Sequence, residues 1–208
     1  MTKLYRVSKK IFGSIDRIWY KFELDGLENI PEEGRLIVAV AGHACNGDAI
    51  HLGLQHPREL HFMAKGELFD VPILSSLVKG YNAFSVKRGR GCSLEAIEAG
   101  LDKLRKDQDV AMFVEEVRTK TGELGRVRTG TARMALMAIE EGIPVKISPC
   151  LLQGTYGLYP AGIIPRRKQL KLSFNETIDT SKYDSIDRLT AAIHDSIQEL
   201  KEKKKKSF

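Results

Sequence analysis

The sequence predicts a single α/β domain, with a mainly parallel sheet flanked by helices and an amphipathic helix at the N-terminus. The chain has 208 residues, a length typical of one domain. Hydrophobic residues make up 42% of it, which is enough to fill one core. From residue 36 onwards, short apolar segments alternate with amphipathic ones, as strands alternate with the helices that cover a parallel sheet.

The predicted strands are short and apolar, and they cover residues 36–41, 60–65, 83–87, 109–114, 143–151 and 170–176. The helices expected between and after them cover 48–55, 66–79, 92–106, 129–141 and 185–203. Because short connections join the alternating elements, most strands are expected to be parallel. We divide the chain into an N-terminal helix at 1–24, a main domain at 25–200 and a basic tail at 201–208.

Residues 3–24 have the periodicity of an amphipathic helix. Apolar side chains recur at three- and four-residue steps and share one stripe, formed by Leu4, Val7, Ile11, Ile15, Ile18, Trp19 and Phe22. The Lys and Arg residues lie mostly elsewhere around the helix. Two interpretations stay open: a terminal helix packed on the core, or a membrane anchor with its aromatic residues among lipid headgroups. In the second, the basic tail adds attraction to anionic lipid.

The formal net charge of +6 favours an anionic partner, such as nucleic acid, an anionic membrane or a phosphorylated substrate. Nucleic acid is disfavoured because no helix-turn-helix pattern, aromatic-rich basic platform or GxxxxGK[ST] loop is present. No apolar run reaches the roughly 18 residues that span a bilayer, so a membrane is expected to be met from one side. The three scattered cysteines argue against a disulfide framework and fit a reducing compartment.

The strongest candidate site follows the first predicted strand, where residues 42–48 have the sequence GHACNGD. Sites in parallel sheets form just past the carboxyl ends of strands. With His43 in the turn and Asp48 in the first helical turn, the carboxylate can hold one imidazole nitrogen. The other nitrogen is then free to accept a proton from a hydroxyl, as a general base requires. The plainer alternative is a helix cap beside a surface polar group.

The other reactive side chains give weaker evidence for a functional site than His43 and Asp48. Cys45 lies too close to His43 for proton transfer from a nucleophilic thiol, and is expected to be a small buried thiol. His51, His56 and His61 follow at five-residue steps but match no standard ligand spacing, so no metal site is predicted. The G-x-S-x-G elbow of many serine hydrolases is absent from the sequence.

Three further segments add to the His-Asp motif. They are KGELF at 65–69 with Arg88 following it, FVEEVR at 113–118, and IPV at 143–145. In content and order these resemble the glycerolipid acyltransferase family, which contains the bacterial 1-acylglycerol-3-phosphate acyltransferases. That family carries an H-x4-D block, a K-x-E-L-F block with a later G and R, F-P-E-G-T-R, and a late v-P-V-v-P. The resemblance spans about residues 25–155, so the main domain is expected to be an acyltransferase domain.

The resemblance implies roles for particular residues. His43 would be the general base and Asp48 its orienting partner. Arg88 and Arg118, which end the second and third blocks, would bind the acceptor's phosphate, for which the planar guanidinium is well suited. Without the resemblance, both arginines would be ordinary surface cations.

Two further residues acquire roles in the same way. Glu115 would position the acceptor or hold the loop, and Lys65 would be a secondary contact for the phosphate. The oxyanion of the reaction is expected to meet backbone N–H groups in the turn after His43.

The implied reaction moves a fatty acyl group from acyl-CoA or acyl-carrier protein to a hydroxyl of a lysophosphatidic-acid-like acceptor in phospholipid biosynthesis. No cofactor or metal is expected beyond the acyl thioester co-substrate. The expected partners are the acyl thioester donor, a lysophospholipid acceptor and an anionic membrane surface, with no nucleic acid. The expected location is the cytoplasmic face of a membrane, peripheral or monotopic.

The third block departs from the family pattern. Val114, Glu116 and Val117 replace its Pro, Gly and Thr. Glu116 adds negative charge near an incoming phosphate, and it lacks the conformational freedom of Gly. These departures motivate an alternative function: a homologue that binds lipid phosphate but is impaired in catalysis.

Overall fold

The computed structural model describes residues 3–70, 80, 82–86, 93–115, 117–158 and 166–205. In chain order, the strands of this part are β1 (Glu23–Asp25), β2 (Arg35–Ala41), β3 (Leu60–Lys65), β4 (Ala83–Val86), β5 (Asp109–Phe113), β6 (Val145–Gln153), β7 (Lys171–Phe174) and β8 (Ile178–Asp179). Its longer helices are α1 (Lys3–Trp19), α2 (Asp48–Gln55), α3 (Leu94–Arg105), α4 (Gly130–Glu140) and α5 (Ile186–Lys205).

The strands form one sheet in the order β1-β7-β6-β2-β5-β3-β4, with β8 also paired to β6. The central strand β2 runs parallel to both of its neighbours, β5 and β6. Only the pairs that join β7 and β8 to β6 are antiparallel among the described strands. The predicted fold class, a mainly parallel sheet flanked by helices with an N-terminal helix, is confirmed. The topology brings the carboxyl end of β2 to the middle of one sheet edge.

The apolar run of β2 is continuous because the strand is covered on both faces. Residues 36–41 are at most 1% exposed. Ile37 and Ala39 belong to one core cluster, which includes residues of α3, α4 and α5. Leu36 and Val38 belong to the other, with Leu52 of α2. Two packed faces therefore fix the position of the strand from which the candidate site emerges.

The predicted N-terminal helix at 3–24 is too long, because α1 ends at Trp19. Lys21 takes a φ of +44°, and the next residues form β1, which pairs with β7. Phe22 is buried in the core rather than continuing the stripe. Most other elements form within two residues of their expected bounds. Of the helix predicted at 66–79, Gly66–Phe69 is a 3₁₀ turn, and residues 71–79 lie outside the described part.

The α1 helix packs on α2 through a face that is mainly polar. Gly13 lies against the backbone of Leu54, and a buried hydrogen bond joins His51 Nδ1 to Asp16 Oδ1 at 2.8 Å. The Gln55 amide donates to the Gly13 carbonyl and to Asp16. The sequence pattern does not distinguish this face from any other polar face, since only the fold brings α2 against it.

The apolar stripe of α1 faces outward instead. The side chains that are between 48% and 73% exposed are Val7, Ile11, Phe12, Ile15, Ile18 and Trp19. The helix therefore packs on the domain through its polar face, while the described part of the stripe from Val7 to Trp19 stays exposed, which leaves the anchor interpretation open. Among the described helices, none is both long and apolar enough to cross a bilayer.

Candidate active site

The site begins at a sharp turn that follows β2. Gly42 has a φ of +92°, and a Cβ at this position would lie 1.9 Å from the carbonyl oxygen of Leu152 on the neighbouring β6. Glycine is required here both for the dihedral angle and for the close approach of the two backbones. The turn carries His43 away from the sheet and leads into α2, which begins at Asp48.

His43 and Asp48 meet in the way the sequence predicts. His43 Nδ1 lies 2.8 Å from Asp48 Oδ2, and the aspartate is fully buried. The same oxygen accepts the backbone N–H groups of Ala44 and Cys45 at 2.6 and 2.9 Å. The Cys45 thiol donates to Asp48 Oδ1 at 3.0 Å. One carboxylate thus fixes both the imidazole ring and the backbone of the turn.

The hydrogen bonds of Asp48 also determine which imidazole nitrogen of His43 carries the hydrogen. Burial opposes ionisation of Asp48, but donation from His43, Cys45 and Ala44 outweighs it and lowers the aspartate pKa below its ordinary value. Asp48 is therefore ionised at neutral pH and acts only as an acceptor. His43 Nδ1 must then carry the hydrogen, which leaves Nε2 of the neutral ring as a proton acceptor.

Phe113 holds the opposite side of the arrangement and was not identified from the sequence. It ends β5, next to β2, and its ring stacks on that of His43 with centroids 4.1 Å apart and planes at 25°. The His43 side chain keeps 20% of its surface exposed. The only sequence signal was the position of Phe113 at the start of the third block.

Glu115 connects the first and third blocks through backbone hydrogen bonds. Its Oε2 accepts the N–H groups of Gly42 and His43 at 2.9 and 2.8 Å, and its Oε1 accepts that of Gly125 at 2.8 Å. The residue is only 4% exposed. Of the two roles proposed from the sequence, this geometry favours holding the loop over positioning the acceptor.

Arg118 lies exposed beside the His43 turn. Its Nη1 donates to the Asn46 side chain at 2.8 Å, and the next residue, Thr119, donates its N–H to the His43 carbonyl at 2.8 Å. Lys65 ends β3, but its side chain lies outside the described residues, as do Arg88 and Glu116. The structure therefore brings Arg118 to the site and is silent on the other two predicted cations.

The remaining histidines and the cysteine form contacts of their own. His51 pairs with Asp16, His56 contacts the backbone of Arg58, and His61 contacts the carbonyl of Asp109. Burial and the neighbouring Asp48 charge raise the pKa of the Cys45 thiol to about 12. Because only the thiolate is a strong nucleophile, Cys45 is inert at neutral pH.

Replacing Gly42 by Ala is expected to destabilise the protein by about 3 kcal/mol or more, since the strained φ is joined by a clash with backbone. Gly142→Ala is the matched control, because Gly142 has a φ of +74° with nothing within 4 Å of its Cβ position. That change should cost only about 1–2 kcal/mol. Urea unfolding measures both. Equal losses of unfolding free energy would show that the close approach to Leu152 is not the reason why glycine is required at position 42.

The fold and the site together define an α/β protein with a buried Asp and a half-buried His at the carboxyl edge of a parallel sheet. The family model described as Acyltransferase matches residues 21–153, which include all of these residues. The chain belongs to the acyltransferase family.

The curated relatives that the chain resembles are named as glycerolipid acyltransferases. A chloroplastic 1-acyl-sn-glycerol-3-phosphate acyltransferase of Arabidopsis thaliana is 26% identical over 186 residues, covering 88% of this chain and 51% of that protein. One from Brassica napus is 27% identical over 77% of this chain and 45% of its own length. The chain thus spans about half the length of these curated relatives.

A solved structure has the same fold. The 1-acyl-sn-glycerophosphate acyltransferase PlsC of Thermotoga maritima superposes with a TM-score of 0.69. The match covers 98% of this chain and 84% of that one, at 22% sequence identity. At this identity the likeness establishes the common fold, a mainly parallel sheet with flanking helices.

Proposed function

We propose that this chain transfers a fatty acyl group from an acyl thioester to a hydroxyl of a lysophosphatidic-acid-like acceptor. The observation that carries the proposal is the pairing of His43 with the ionised Asp48, which leaves one imidazole nitrogen ready to accept a proton. The acyltransferase family and the names of the relatives support the glycerolipid class of substrate.

The reaction proceeds in one direct transfer. His43 Nε2 removes the proton from the acceptor hydroxyl as the oxygen attacks the thioester carbonyl. The tetrahedral intermediate then expels the thiolate, which takes a proton from the imidazolium. The C–S bond is broken, a C–O ester bond is formed, and the ring returns to its starting state. Asp48 stabilises the imidazolium and keeps the ring in position.

The oxyanion needs hydrogen-bond donors other than those already engaged. The N–H groups of Gly42 and His43 donate to Glu115, and those of Ala44 and Cys45 donate to Asp48. Among the described residues, no group accepts the N–H of Asn46, whereas the N–H of Gly47 donates to the Cys45 sulfur. We therefore assign the oxyanion to the Asn46 N–H, which narrows the expectation from the sequence to one donor.

Arg118 is proposed to bind the acceptor phosphate. Its guanidinium is exposed, and its contact with Asn46 places it beside the His43 turn. A bidentate contact to phosphate from this position would bring the acceptor hydroxyl towards His43. Lys65 and Arg88 remain proposed phosphate ligands on the resemblance alone.

A catalytically impaired lipid-phosphate binder remains the second candidate function. The observation that favours it lies in the third block, where Val114 donates its N–H to the carbonyl of Val40 at 2.9 Å. The proline found here in the family pattern cannot make that bond. This hydrogen bond joins the loop of the third block to β2, and a chain with the family's proline at this position could not form it.

Release of free thiol from acyl-CoA, with and without lysophosphatidic acid, separates the two functions. Acceptor-dependent thiol release by the full chain is the result expected of the enzyme. If neither acyl-CoA nor acyl-carrier protein supports release while the chain still binds lysophosphatidic acid, the binder is correct.

We further propose that α1 lies in the surface of an anionic membrane, on the cytoplasmic face. Its outward stripe is apolar, and such a continuous exposed strip on a helix is unfavourable in water. Lys10 and Arg17 lie on the same helix, where they can meet lipid phosphates while the stripe enters the headgroup layer. This contact would hold the enzyme where its acyl-chain substrates reside.

Ile15→Glu or Ile18→Glu is expected to weaken binding to phosphatidylcholine–phosphatidylglycerol vesicles by roughly tenfold or more, because burying an Ile contributes about 1.5–3 kcal/mol. Vesicle sedimentation measures the change. Both side chains are over half exposed, so the fold should be kept. Leu94→Glu on α3 is the control, since Leu94 is 70% exposed but lies away from the stripe. Unchanged sedimentation of both α1 variants would exclude the anchor.

A further inference from the structure

A second polar site lies on the same sheet edge as His43. It is a cleft of about 380 Å³, and three of the four described residues that line it are cations: Lys21, Arg167 and Lys168, with Gln169 as the fourth. None of them belongs to the four acyltransferase blocks. The cleft is assembled from two distant segments of chain, since the Leu170 N–H donates to the Tyr20 carbonyl at 3.1 Å.

The register of the sheet places this cleft relative to the active site. Ala41 at the end of β2 pairs with Leu151 of β6, and Gln153 of β6 pairs with Lys171 at the start of β7. Because β1 runs parallel to β7, the residues just before β1 and β7 lie on the edge that carries His43. β1 is three strand positions from β2, which is about 14 Å at the usual strand spacing.

The charge of the cleft is largely unneutralised. Among the described residues, no carboxylate lies within ion-pairing distance of Lys21 or Arg167. Lys168 donates to the Tyr156 carbonyl rather than to an acid. The nearest acid in sequence, Glu23, accepts a hydrogen bond from Gln169 and lies 4.0 Å from Lys171. Such a concave group of cations without a carboxylate partner favours an anion with several oxygen acceptors.

The surroundings indicate where that anion comes from. Ile18 and Trp19 end the α1 stripe within three residues of Lys21, and they are 73% and 48% exposed. Apolar and aromatic side chains beside these cations match the layering of a membrane surface, with acyl chains below and phosphates above. A phosphate ion dissolved in water would make no contact with the neighbouring apolar side chains.

We propose that the cleft at Lys21, Arg167 and Lys168 binds the headgroup phosphate of an anionic phospholipid in the membrane. The inference rests on the proposed contact of α1 with the membrane and specifies its polar half. The bound headgroup fixes the carboxyl-terminal end of α1, and with it the His43 edge, against the bilayer.

The cleft is also connected to the loop that carries Arg118. The Tyr156 carbonyl accepts from Lys168, and the Tyr156 hydroxyl donates to the Lys120 carbonyl at 3.0 Å. Gly122 packs directly on the Tyr156 ring, where a Cβ would lie 2.9 Å from it. A lipid bound by Lys168 is thus linked, through Tyr156, to the loop that is proposed to bind the acceptor.

The test is the partitioning of the full chain onto vesicles of phosphatidylcholine with phosphatidylglycerol, followed by the fluorescence of Trp19, the single tryptophan. For Lys21→Gln with Arg167→Gln, the partition coefficient is expected to fall roughly 30-fold, from about fivefold per cation. Arg167→Gln alone should give the fivefold effect. Both side chains are exposed, and circular dichroism checks that the fold is kept.

Lys106→Gln with Lys182→Gln is the matched control. Both lysines are exposed, but they lie by the amino ends of β5 and β6, on the opposite edge of the sheet. The length of the strands, which separates these lysines from the cleft, exceeds the Debye length of about 8 Å at physiological salt. Partitioning of the control onto vesicles should therefore change less than about twofold. Equal losses in the two double variants, or no loss in the first, would overturn the proposal.

Two soluble probes test the origin of the phosphate. Inorganic phosphate and CoA are titrated calorimetrically into the wild type and into the Lys21→Gln, Arg167→Gln variant without vesicles. Binding that only the wild type shows would assign the cleft to a soluble phosphate and overturn the lipid assignment. Partitioning is measured without turnover, so a failure of the proposed acyl transfer would leave this test intact.

Discussion

His43→Ala is expected to lower the rate of acceptor-dependent thiol release by about 10²–10⁴-fold, the usual contribution of a general base. The physical reason is that the imidazole is the proposed proton acceptor, and its hydrogen-bond partner cannot replace it. Asp48 is ionised, but it is fully buried and its oxygens are occupied by four hydrogen-bond donors. It therefore cannot take over the role of the imidazole.

His194→Ala provides the matched control, because His194 lies exposed on α5, and within the described residues its side-chain hydrogen bonds are with Asp195 and Gln198. It should release thiol at the wild-type rate. Urea unfolding of both variants separates loss of chemistry from loss of fold. A His43→Ala protein that is folded and turns over within a few-fold of wild type would rule out the proposed mechanism.

Glu115→Ala is the second change with a large expected effect, and it acts on stability and activity together. Removing the carboxylate leaves the N–H groups of Gly42, His43 and Gly125 without their acceptor. Each unsatisfied donor costs about 1–3 kcal/mol where water cannot reach it, so we expect the three together to cost about 3 kcal/mol or more. A shift of the His43 turn by about 1 Å would also lower the rate roughly 100-fold.

Glu115→Gln should have a smaller effect, because its amide oxygen still accepts while its NH₂ group faces a donor. Glu123→Ala is the control within the same loop, since Glu123 is exposed and is expected to change stability by at most about 0.5 kcal/mol. Chemical denaturation and thiol release are measured on all three variants. If Glu115→Ala is as stable as Glu123→Ala and retains activity, the carboxylate does not hold the turn.

Much of the fold was predictable because its signals are local. The strand at 60–65 and the helix at 48–55 form with the predicted bounds, since a buried apolar run and an amphipathic period are both properties of neighbouring residues. The short strands β1 and β8 were not predicted. They have three and two residues, too few for a periodicity, and exist because β7 and β6 offer them a partner.

Some contacts of the candidate site were likewise predictable from the sequence, and others were not. The contact between His43 and Asp48 was predictable, because the two residues lie five positions apart across one turn. The stacking of Phe113 and the three hydrogen bonds of Glu115 were not, since both depend on β5 lying next to β2. Residues separated by about 70 positions are brought together by strand pairing, which leaves no periodic mark on either segment.

The sequence by itself determined the class of fold, the central buried strand, the His-Asp motif and the apolar stripe of α1. Local propensity and periodicity carry each of these. Tertiary structure alone decided that the stripe faces outward, because α2 meets the Gly13 and Asp16 face of α1 instead. It also decided that Lys21 joins Arg167 and Lys168 in one cleft, since only the pairing of β1 with β7 brings segments so distant in sequence to the same sheet edge.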